Sequence, residues 1–254
     1  MKKLMVLLGM LGLTITAFAQ TVEMKRWGDA AQIKTAIERE QREGANRQLL
    51  LAAETGELEK VVEAIQAGAD INATNDKGST ALMIAVVCEH PSIAYYLLNE
   101  AEVNGVRVKP DVNIQNENGA TVLHAAASTG DKDMVRMLVQ AGADVTVKGP
   151  RSLDALWRAY LAGHMDVVKY LLEECNADVE TTDGIGSTLL ISAVSDREEA
   201  FIKYLIEERH VSVAYINKTV ADSDTALDFA ETYFPEITDY LISKGALHAY
   251  EVSR

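Results

Sequence analysis

The stretch Gly119-Ala-Thr121-Val-Leu123-His124-Ala-Ala-Ala127 decides the fold, because its pattern recurs on both sides of it. It is followed by Gly130 and by the apolar pairs Met134-Val135 and Leu138-Val139, and it closes with Gly142-Ala-Asp144-Val145. Self-similarity at a period near 33 residues is typical of stacked repeats. The sequence therefore predicts an array of similar units.

One alanine marks the same position in every unit. The intervals between these alanines are 33, 41, 33, 34 and 37 residues. The six are Ala52, Ala85, Ala126, Ala159, Ala193 and Ala230. Small residues let neighbouring helices approach closely, and apolar residues at i, i+3 and i+4 form the buried stripe of an amphipathic helix. Since one pair of helices cannot bury such stripes alone, the stack is the expected folding unit.

The pattern resembles the ankyrin repeat, which has a G-x-T-P-L-H-x-A-A opening, an interior glycine, a V-V-x-x-L-L helix and a G-A-D-V-N hairpin. The resemblance implies an all-α ankyrin-repeat solenoid of about six helix-turn-helix repeats with short hairpin loops. It also implies that His124 ties adjacent hairpins together. Before the first helices we expect hydroxyl caps at Thr80, Thr121, Thr188 and Thr225. The repeats are expected near 47–77, 78–118, 119–151, 152–185, 186–222 and 223–254.

The N-terminal region predicts export. Met1-Lys2-Lys3, an apolar run over residues 4–18 and Ala17-Phe18-Ala19 form the pattern of a secretory signal peptide over residues 1–19, cleaved near Ala19. The apolar run is too short to span a bilayer, so no stable membrane insertion is expected. The expected location is the bacterial periplasm or the exterior of the cell.

Between the signal peptide and the repeat domain, residues 20–46 match the repeat only in part. Gly28–Ile37 resembles a second helix alone, and Gly44-Ala-Asn46 resembles the end of a repeat. We therefore expect an N-terminal capping helical half-repeat over 20–46 and the ankyrin repeat domain over 47–254.

The intervals of 41 and 37 residues locate two departures from the repeat. The first is an eight-residue insertion within Asn99–Pro110, and the second lies within Ala214–Asp224. One interpretation of the insertion is length drift in an exposed loop, which costs little free energy. The other is a protruding contact element over Val103–Lys109.

No group of residues predicts catalysis, a metal site or a cofactor. Successive histidines lie at least 34 residues apart, and none belongs to an H-E-x-x-H or C-x-x-C motif. Cys88 and Cys175 fall about two repeats apart, beyond disulfide reach, so both are expected to be free thiols. We therefore expect a protein that is not an enzyme and that carries no cofactor.

The charge and the resemblance together predict a protein partner. A net charge of −14 argues against nucleic acid and suits solubility or a basic partner. Ankyrin arrays contact partners with hairpin tips and the exposed side of the first helices, which form a concave face. We expect a monomer whose partner-binding residues are Asp76, Lys77, Ser79, Cys88, Glu117, Asn118, Ser128, Arg151, Trp157, Arg158, Leu161, Ile185, Tyr215 and Tyr233.

Trp157 admits two interpretations, because its register favours packing between hairpins while tryptophan is also common at interface hot spots. The leading functional hypothesis is a non-catalytic binding module of the periplasm or the exterior, for example a toxin-neutralising immunity protein. The alternatives are an accessory protein to an envelope enzyme in oxidative-stress defence and an exported effector directed at a host.

Overall fold

The computed structural model describes residues 30–220 and 223–252, with side chains described from Lys34 onward. The predicted signal peptide and its cleavage site lie outside the described residues, as do the first ten residues of the predicted cap. We number the repeats one to six by the alanines Ala52 to Ala230.

Helices follow one another in pairs, and successive pairs stack side by side, as expected for an all-α repeat solenoid. The first helices are the end of α1 (Ala30–Thr55), α3 (Ala81–Val87), α5 (Val122–Thr129), α7 (Ala155–Leu161), α9 (Leu189–Ser195) and α12 (Ala226–Tyr233). First helices of neighbouring repeats contact each other, for example α1 with α3, α3 with α5, and α5 with α7. The second helices are α2 (Leu58–Gln66), α4 (Pro91–Asn99), α6 (Lys132–Gln140), α8 (Met165–Glu174), α10 (Glu199–Lys203) and α13 (Thr238–Ser243).

Shorter elements complete the chain. Helix α10 continues into a π-helical turn over Tyr204–Glu208, and two short helices follow later, α11 (Val213–Ile216) and α14 (Ala249–Val252). Single 3-10 turns lie at Pro150–Ser152 and Pro235–Ile237. Among the described residues, no helix has both the length and the apolar character needed to cross a membrane.

The core runs along the stack through the alanine positions. All six alanines are at most 2% exposed, so neighbouring first helices meet there at close range. The first helices of repeats two, five and six begin at a threonine cap: Thr80 accepts a hydrogen bond from the Met83 N–H at 3.2 Å, Thr188 accepts one from the Ile191 N–H at 3.1 Å, and Thr225 accepts one from the Asp228 N–H at 3.5 Å. The predicted capping role of these three threonines is confirmed.

The N-terminal helix is longer than expected. Helix α1 runs without a break from Ala30 to Thr55, so the predicted end at Gly44-Ala-Asn46 is wrong. The Asn46 side chain nevertheless acts as in a complete repeat, because its Oδ1 accepts a hydrogen bond from the Asp70 N–H at 2.8 Å. The same bond joins Asn72 to Asp111 and Asn113 to Asp144, each at 2.8 Å.

The insertion in repeat two is an ordered β-hairpin. Strand β1 (Glu102–Val103) pairs with the antiparallel strand β2 (Val106–Arg107). The turn residues Asn104 and Gly105 have φ values of 52° and 76°. Positive φ at both central residues is what a type I′ turn requires, and Asn-Gly is its preferred sequence. The local sequence therefore specifies the hairpin.

The base of this hairpin is fixed to the core, while its tip is exposed. Ala101 is fully buried, its carbonyl accepts a hydrogen bond from the Val108 N–H at 2.9 Å, and Val103 packs against the core. Strand β1 contacts α2, the second helix of repeat one. The hairpin thus lies on the second-helix side of the stack, and both interpretations of the insertion, length drift and a contact element, stay open. Its role as a contact element stays a prediction.

Two residues that were expected to bind a partner are buried instead. Trp157 is 1% exposed and Tyr215 is 3% exposed, so neither side chain can contact a partner, and both predictions are wrong. Tyr215 belongs to α11, which turns the side chain inward. There the phenol oxygen accepts a hydrogen bond from the Leu189 N–H at 3.0 Å, and burial raises its pKa.

Trp157 begins a chain of aromatic rings that joins repeats four and five. Its ring meets Tyr160 edge-on with centroids 6.1 Å apart, and Tyr160 stacks on Phe201 at 5.4 Å. Phe201 in turn stacks on Tyr204 at 5.9 Å. Large rings in contact contribute heavily to a core. The packing interpretation of Trp157 is therefore confirmed.

Replacing this tryptophan should destabilise the stack. We expect Trp157→Ala to lower the free energy of unfolding by about 3–5 kcal/mol, because it leaves a cavity in the aromatic chain. Leu161→Ala is the matched control, since Leu161 lies one turn later and is 59% exposed. Its effect should stay within about 0.5 kcal/mol. Urea unfolding followed by circular dichroism measures both, and equal losses would contradict the assignment.

The turn between the two helices of a repeat suggests a stabilising substitution. In repeats one to five, the fourth residue after the buried alanine has a positive φ. This residue is a glycine in repeats one, three and four (Gly56, Gly130 and Gly163). It is Glu89 in repeat two and Arg197 in repeat five. A left-handed conformation costs a non-glycine residue about 1–2 kcal/mol, partly offset by the larger unfolded-state entropy of glycine.

We therefore expect Glu89→Gly to raise the free energy of unfolding by about 0.5–1 kcal/mol. Gly130→Ala should act in the opposite direction, because a Cβ there would lie 2.4 Å from Nδ1 of His164. Urea unfolding of the two variants beside the parent protein gives the comparison. A fall in stability for Glu89→Gly would show that this turn is not strained.

Candidate functional site

A groove of about 520 Å³ lies over the hairpins and first helices of repeats one to four. Its floor is apolar, with Met83, Ile84 and Val87 from α3 and Ala125 from α5. Apart from Ala120, the rest of the lining is polar: Glu54, Asn75, Lys77, Ser79, Cys88, Asn116, Thr121, His124, Ser128, Thr129 and Arg158. An apolar floor with a polar rim is the usual form of a binding cleft.

The hairpin tips at one edge of the groove are held by asparagine side chains. Oδ1 of Asn75 accepts hydrogen bonds from the backbone N–H groups of Lys77 at 2.9 Å and Ser79 at 3.0 Å. Asn116 repeats the arrangement with Asn118 and Ala120, each at 3.0 Å. The tips are also tied to each other, because the Glu117 N–H donates to the Lys77 carbonyl at 3.0 Å. The exposed side chains on these tips therefore project from a fixed backbone.

Most of the predicted binding residues are accessible, but they form more than one group. Lys77, Ser79, Cys88, Ser128 and Arg158 line the groove together. Asp76, Glu117 and Asn118 are exposed on the hairpin tips beside it. Arg151, Leu161, Ile185 and Tyr233 are exposed further along the stack, outside the groove lining. Met83, Ile84 and Val87 supply the apolar floor. The repeat register had placed Cys88 on the binding face, but it did not indicate Met83 or Ile84.

His124 shapes the groove as a neutral structural residue. Its Nδ1 accepts a hydrogen bond from the Thr121 N–H at 3.1 Å, and its Nε2 lies 3.1 Å from the Leu153 carbonyl oxygen on the next hairpin. Burial lowers the pKa of His124, and the positive charge of Arg158 lowers it further. The next hairpin approaches so closely that a Cβ at Gly149 would lie 2.8 Å from Nε2. The expected role of His124 in joining hairpins is confirmed.

Arg158 lines the groove, and none of the described acidic residues forms an ion pair with it. Asp154, four residues earlier, is the natural intrahelical partner. Its Oδ1 instead caps the helix by accepting the Trp157 N–H at 3.0 Å, and its Oδ2 accepts from Nζ of Lys148 and Oγ1 of Thr181, each at 2.7 Å. Nε of Arg158 is buried, and no hydrogen-bond acceptor was found for it among the described residues.

The charge of the groove differs from that of the whole chain. Its lining holds two cationic side chains, Lys77 and Arg158, against one carboxylate, Glu54. Several acids on the second helices are occupied in contacts between repeats instead: Glu173 accepts from the Tyr204 hydroxyl at 2.9 Å, and Glu207 from the Tyr240 hydroxyl at 3.1 Å. The net charge of −14 therefore does not describe the groove.

No cluster of metal-binding side chains is assembled in the part of the chain that the structure describes. No three side chains of the metal-binding types His, Cys, Asp and Glu converge on one point there. Cys88 and Cys175 are free thiols, as their spacing predicted.

Comparison with known proteins agrees with this architecture. The family model described as ankyrin repeats matches three times, over residues 49–149, 108–183 and 156–250. The putative ankyrin repeat protein YahD of Escherichia coli is 26% identical over 206 residues, which cover 78% of this chain and 95% of that protein.

Two mouse proteins match over smaller shares of their own length. The B-cell lymphoma 3 protein homolog is 35% identical over 134 residues, covering 51% of this chain and 28% of that protein. The RelA-associated inhibitor is 32% identical over 157 residues, covering 60% of this chain and 17% of that protein. With its helix pairs, its tied hairpins and three family matches that together span most of its length, the chain belongs to the ankyrin-repeat family.

Proposed function

We propose that this protein is a non-catalytic interaction module that holds a partner protein in the groove of repeats one to four. The observation that carries the proposal is the apolar floor beside fixed hairpin tips, where Val87 is 62% exposed. Ankyrin repeats are protein-interaction modules as a family, which supports a protein as the occupant.

The exposed apolar residues of the first helices favour an extended contact. Leu51, Val87, Leu161 and Tyr233 are between 49% and 62% exposed. Leu51 comes one residue before the buried alanine of its repeat, Val87 and Leu161 come two after it, and Tyr233 comes three after it. These positions lie on the side of the first helices that faces away from the core. A row of apolar side chains on one face indicates a contact surface more strongly than isolated residues do. The partner we propose therefore continues from the groove along the stack.

The groove is also preformed. Asn75 and Asn116 fix its hairpin tips through their side chains, and the backbone bond from Glu117 to Lys77 joins neighbouring tips. A surface that is ordered before binding loses little conformational entropy when the partner arrives. Rigid presentation of this kind suits recognition of one partner protein better than capture of many.

We further propose that the protein is exported after cleavage near Ala19. The support is the order of a basic start, a short apolar run and a small-residue cleavage pattern within residues 1–19. The finer roles in that compartment are an immunity protein that neutralises a toxin, an accessory to an envelope enzyme and a host-directed effector. Overall acidity supported the immunity role, but the groove lining gives that role no added support.

Export has a direct test. Expressed with a C-terminal tag in a Gram-negative host, the chain should fractionate with the periplasm, and its N-terminal residue by mass spectrometry should be Gln20. Changing Ala17 and Ala19 to bulky residues should leave the precursor uncleaved. A cytoplasmic chain that still begins with Met1 would overturn the proposal.

The groove is tested with two equally exposed valines. Val87→Asp places a charge on the groove floor, while Val106→Asp places one on the inserted hairpin, where Val106 is 67% exposed. With partner isolated from the native envelope, we expect Val87→Asp to weaken binding at least tenfold, because the charge must be desolvated against the partner. Val106→Asp should bind like the parent protein.

Circular dichroism and the melting temperature establish that both variants are folded. Binding that survives Val87→Asp but is lost in Val106→Asp would move the contact surface to the inserted hairpin. The identity of the isolated partner, whether a toxic protein, an envelope enzyme or a host protein, separates the three finer roles.

A further inference from the structure

We propose that the groove selects a partner segment in which an aspartate or glutamate side chain lies close to an aliphatic one, with Arg158 binding the carboxylate. The inference rests on the proposed function, since it names the chemistry of the occupant of the same groove. It is opposite in sign to the basic partner that the overall charge suggests.

Among the described residues, the positions on and beside α7 that could pair with Arg158 offer no free carboxylate. The residues three and four positions away are Ala155, Leu161, Ala162 and Asp154, and the only acid among these four is engaged by its cap and by Lys148. At the register of Arg158, repeat three has Ala125 and repeat five has Ser192. Since the guanidinium is always charged, this side of the groove keeps a positive charge at every physiological pH.

The neighbours of Arg158 cannot neutralise it. His124 is kept neutral by burial, and both of its ring nitrogens are occupied by Thr121 and by the Leu153 carbonyl. Lys77, on the hairpin tip, adds a second positive charge to the same lining. The one acid of the lining, Glu54, belongs to repeat one, three repeats before Arg158. The lining therefore carries two positive charges against one negative charge, and on its Arg158 side it complements an anionic group, while the carboxylates of Asp76 and Glu117 lie on the hairpin tips beside it.

The guanidinium favours a carboxylate over other acceptors. Arg158 is half-buried and lines the groove. Its Nε is buried and has no acceptor among the described residues, so a partner in the groove would meet the guanidinium through its outer nitrogens. A carboxylate suits them best, because its two oxygens match the planar fork of the N–H groups.

The apolar floor defines the second feature of the segment. Val87 is the most exposed of the floor residues, beside Met83 and Ile84 of the same helix. An aliphatic side chain placed on this floor removes apolar surface from water. A neighbouring acidic side chain on the same segment then meets the positive charge of the same groove. The pairing of the two groups gives more selectivity than either alone, because an apolar segment without an acid leaves Arg158 unpaired.

The test is selection from a random peptide library displayed on phage, with the folded full chain immobilised. We expect the enriched peptides to share an aliphatic residue with Asp or Glu within a few positions, and to be lost when Val87→Asp replaces the parent protein. Selection against Arg158→Gln should retain the aliphatic preference and lose the acid. A synthetic consensus peptide should bind Arg158→Gln about tenfold more weakly than the parent protein.

Arg107→Gln is the matched control, because it removes the same charge from an exposed position on strand β2 of the inserted hairpin. It should leave the affinity of the consensus peptide unchanged, which separates contact with Arg158 from an effect of net charge. Thermal melting shows that each variant is folded. Changing the acid of the peptide to its amide should cost the parent protein the same factor as Arg158→Gln, and the two changes together should cost no more than either alone.

The outcomes separate the two proposals. Peptides that depend on Val87 but carry no acid, or whose acid preference survives Arg158→Gln, overturn this inference and leave the groove as the binding site. A selection that enriches no peptide dependent on Val87 overturns the proposed function, and this inference with it.

Discussion

Close approach of neighbouring first helices at the buried alanines is the constraint on which the rest of the structure depends. The six alanines are at most 2% exposed, and any larger side chain at these positions would force adjacent repeats apart. The alanines fix the spacing of the stack, and the spacing in turn fixes which hairpin tips can reach each other. Because the alanines lie on the core side of each helix, the opposite side stays free to vary. The groove is built from that variable side.

The spacing is maintained by polar contacts that recur from repeat to repeat. On the hairpin side, asparagine side chains accept hydrogen bonds from backbone N–H groups of the next repeat. At the turns between first and second helices, Nε2 of His90 and His164 lies 3.1 Å from the carbonyl oxygens of Glu54 and Ser128. On the second-helix side, Lys169 lies 5.1 Å from the ring centre of Tyr204, whose hydroxyl donates to Glu173. Contacts on both sides resist bending of the stack, so the groove keeps its shape without a partner.

The sequence predicted those features that depend only on register. The buried alanines, the threonine caps and the distant thiols all follow from their positions in a repeat. It failed where the chain departs from the repeat. Gly44 looked like a helix end, but a glycine can be accommodated within a helix at a cost of about 1 kcal/mol, and α1 continues through it. Tyr215 lies in the second lengthened segment, where α11 forms and turns the side chain inward, a change that register cannot show. The inserted hairpin differs from these two cases. It has no counterpart in the other repeats, but its local sequence Asn104-Gly105 specifies the turn directly.

The binding chemistry of such an array depends on which charged side chains have no partner within the protein. The net charge of the whole chain does not predict these side chains. Asp154 illustrates the distinction, because it replaces the threonine cap of other repeats and, as a buried carboxylate, requires Lys148 as its counter-charge. That requirement removes Asp154 as a partner for Arg158, although the two residues have the spacing of a helical ion pair. The cap on this helix therefore leaves Arg158 without its intrahelical partner, and the groove lining carries two cations against one carboxylate. The same carboxylate accepts the hydrogen bond of the Trp157 N–H. One side chain therefore caps the helix that carries both the buried tryptophan and the arginine that we assign to the interface.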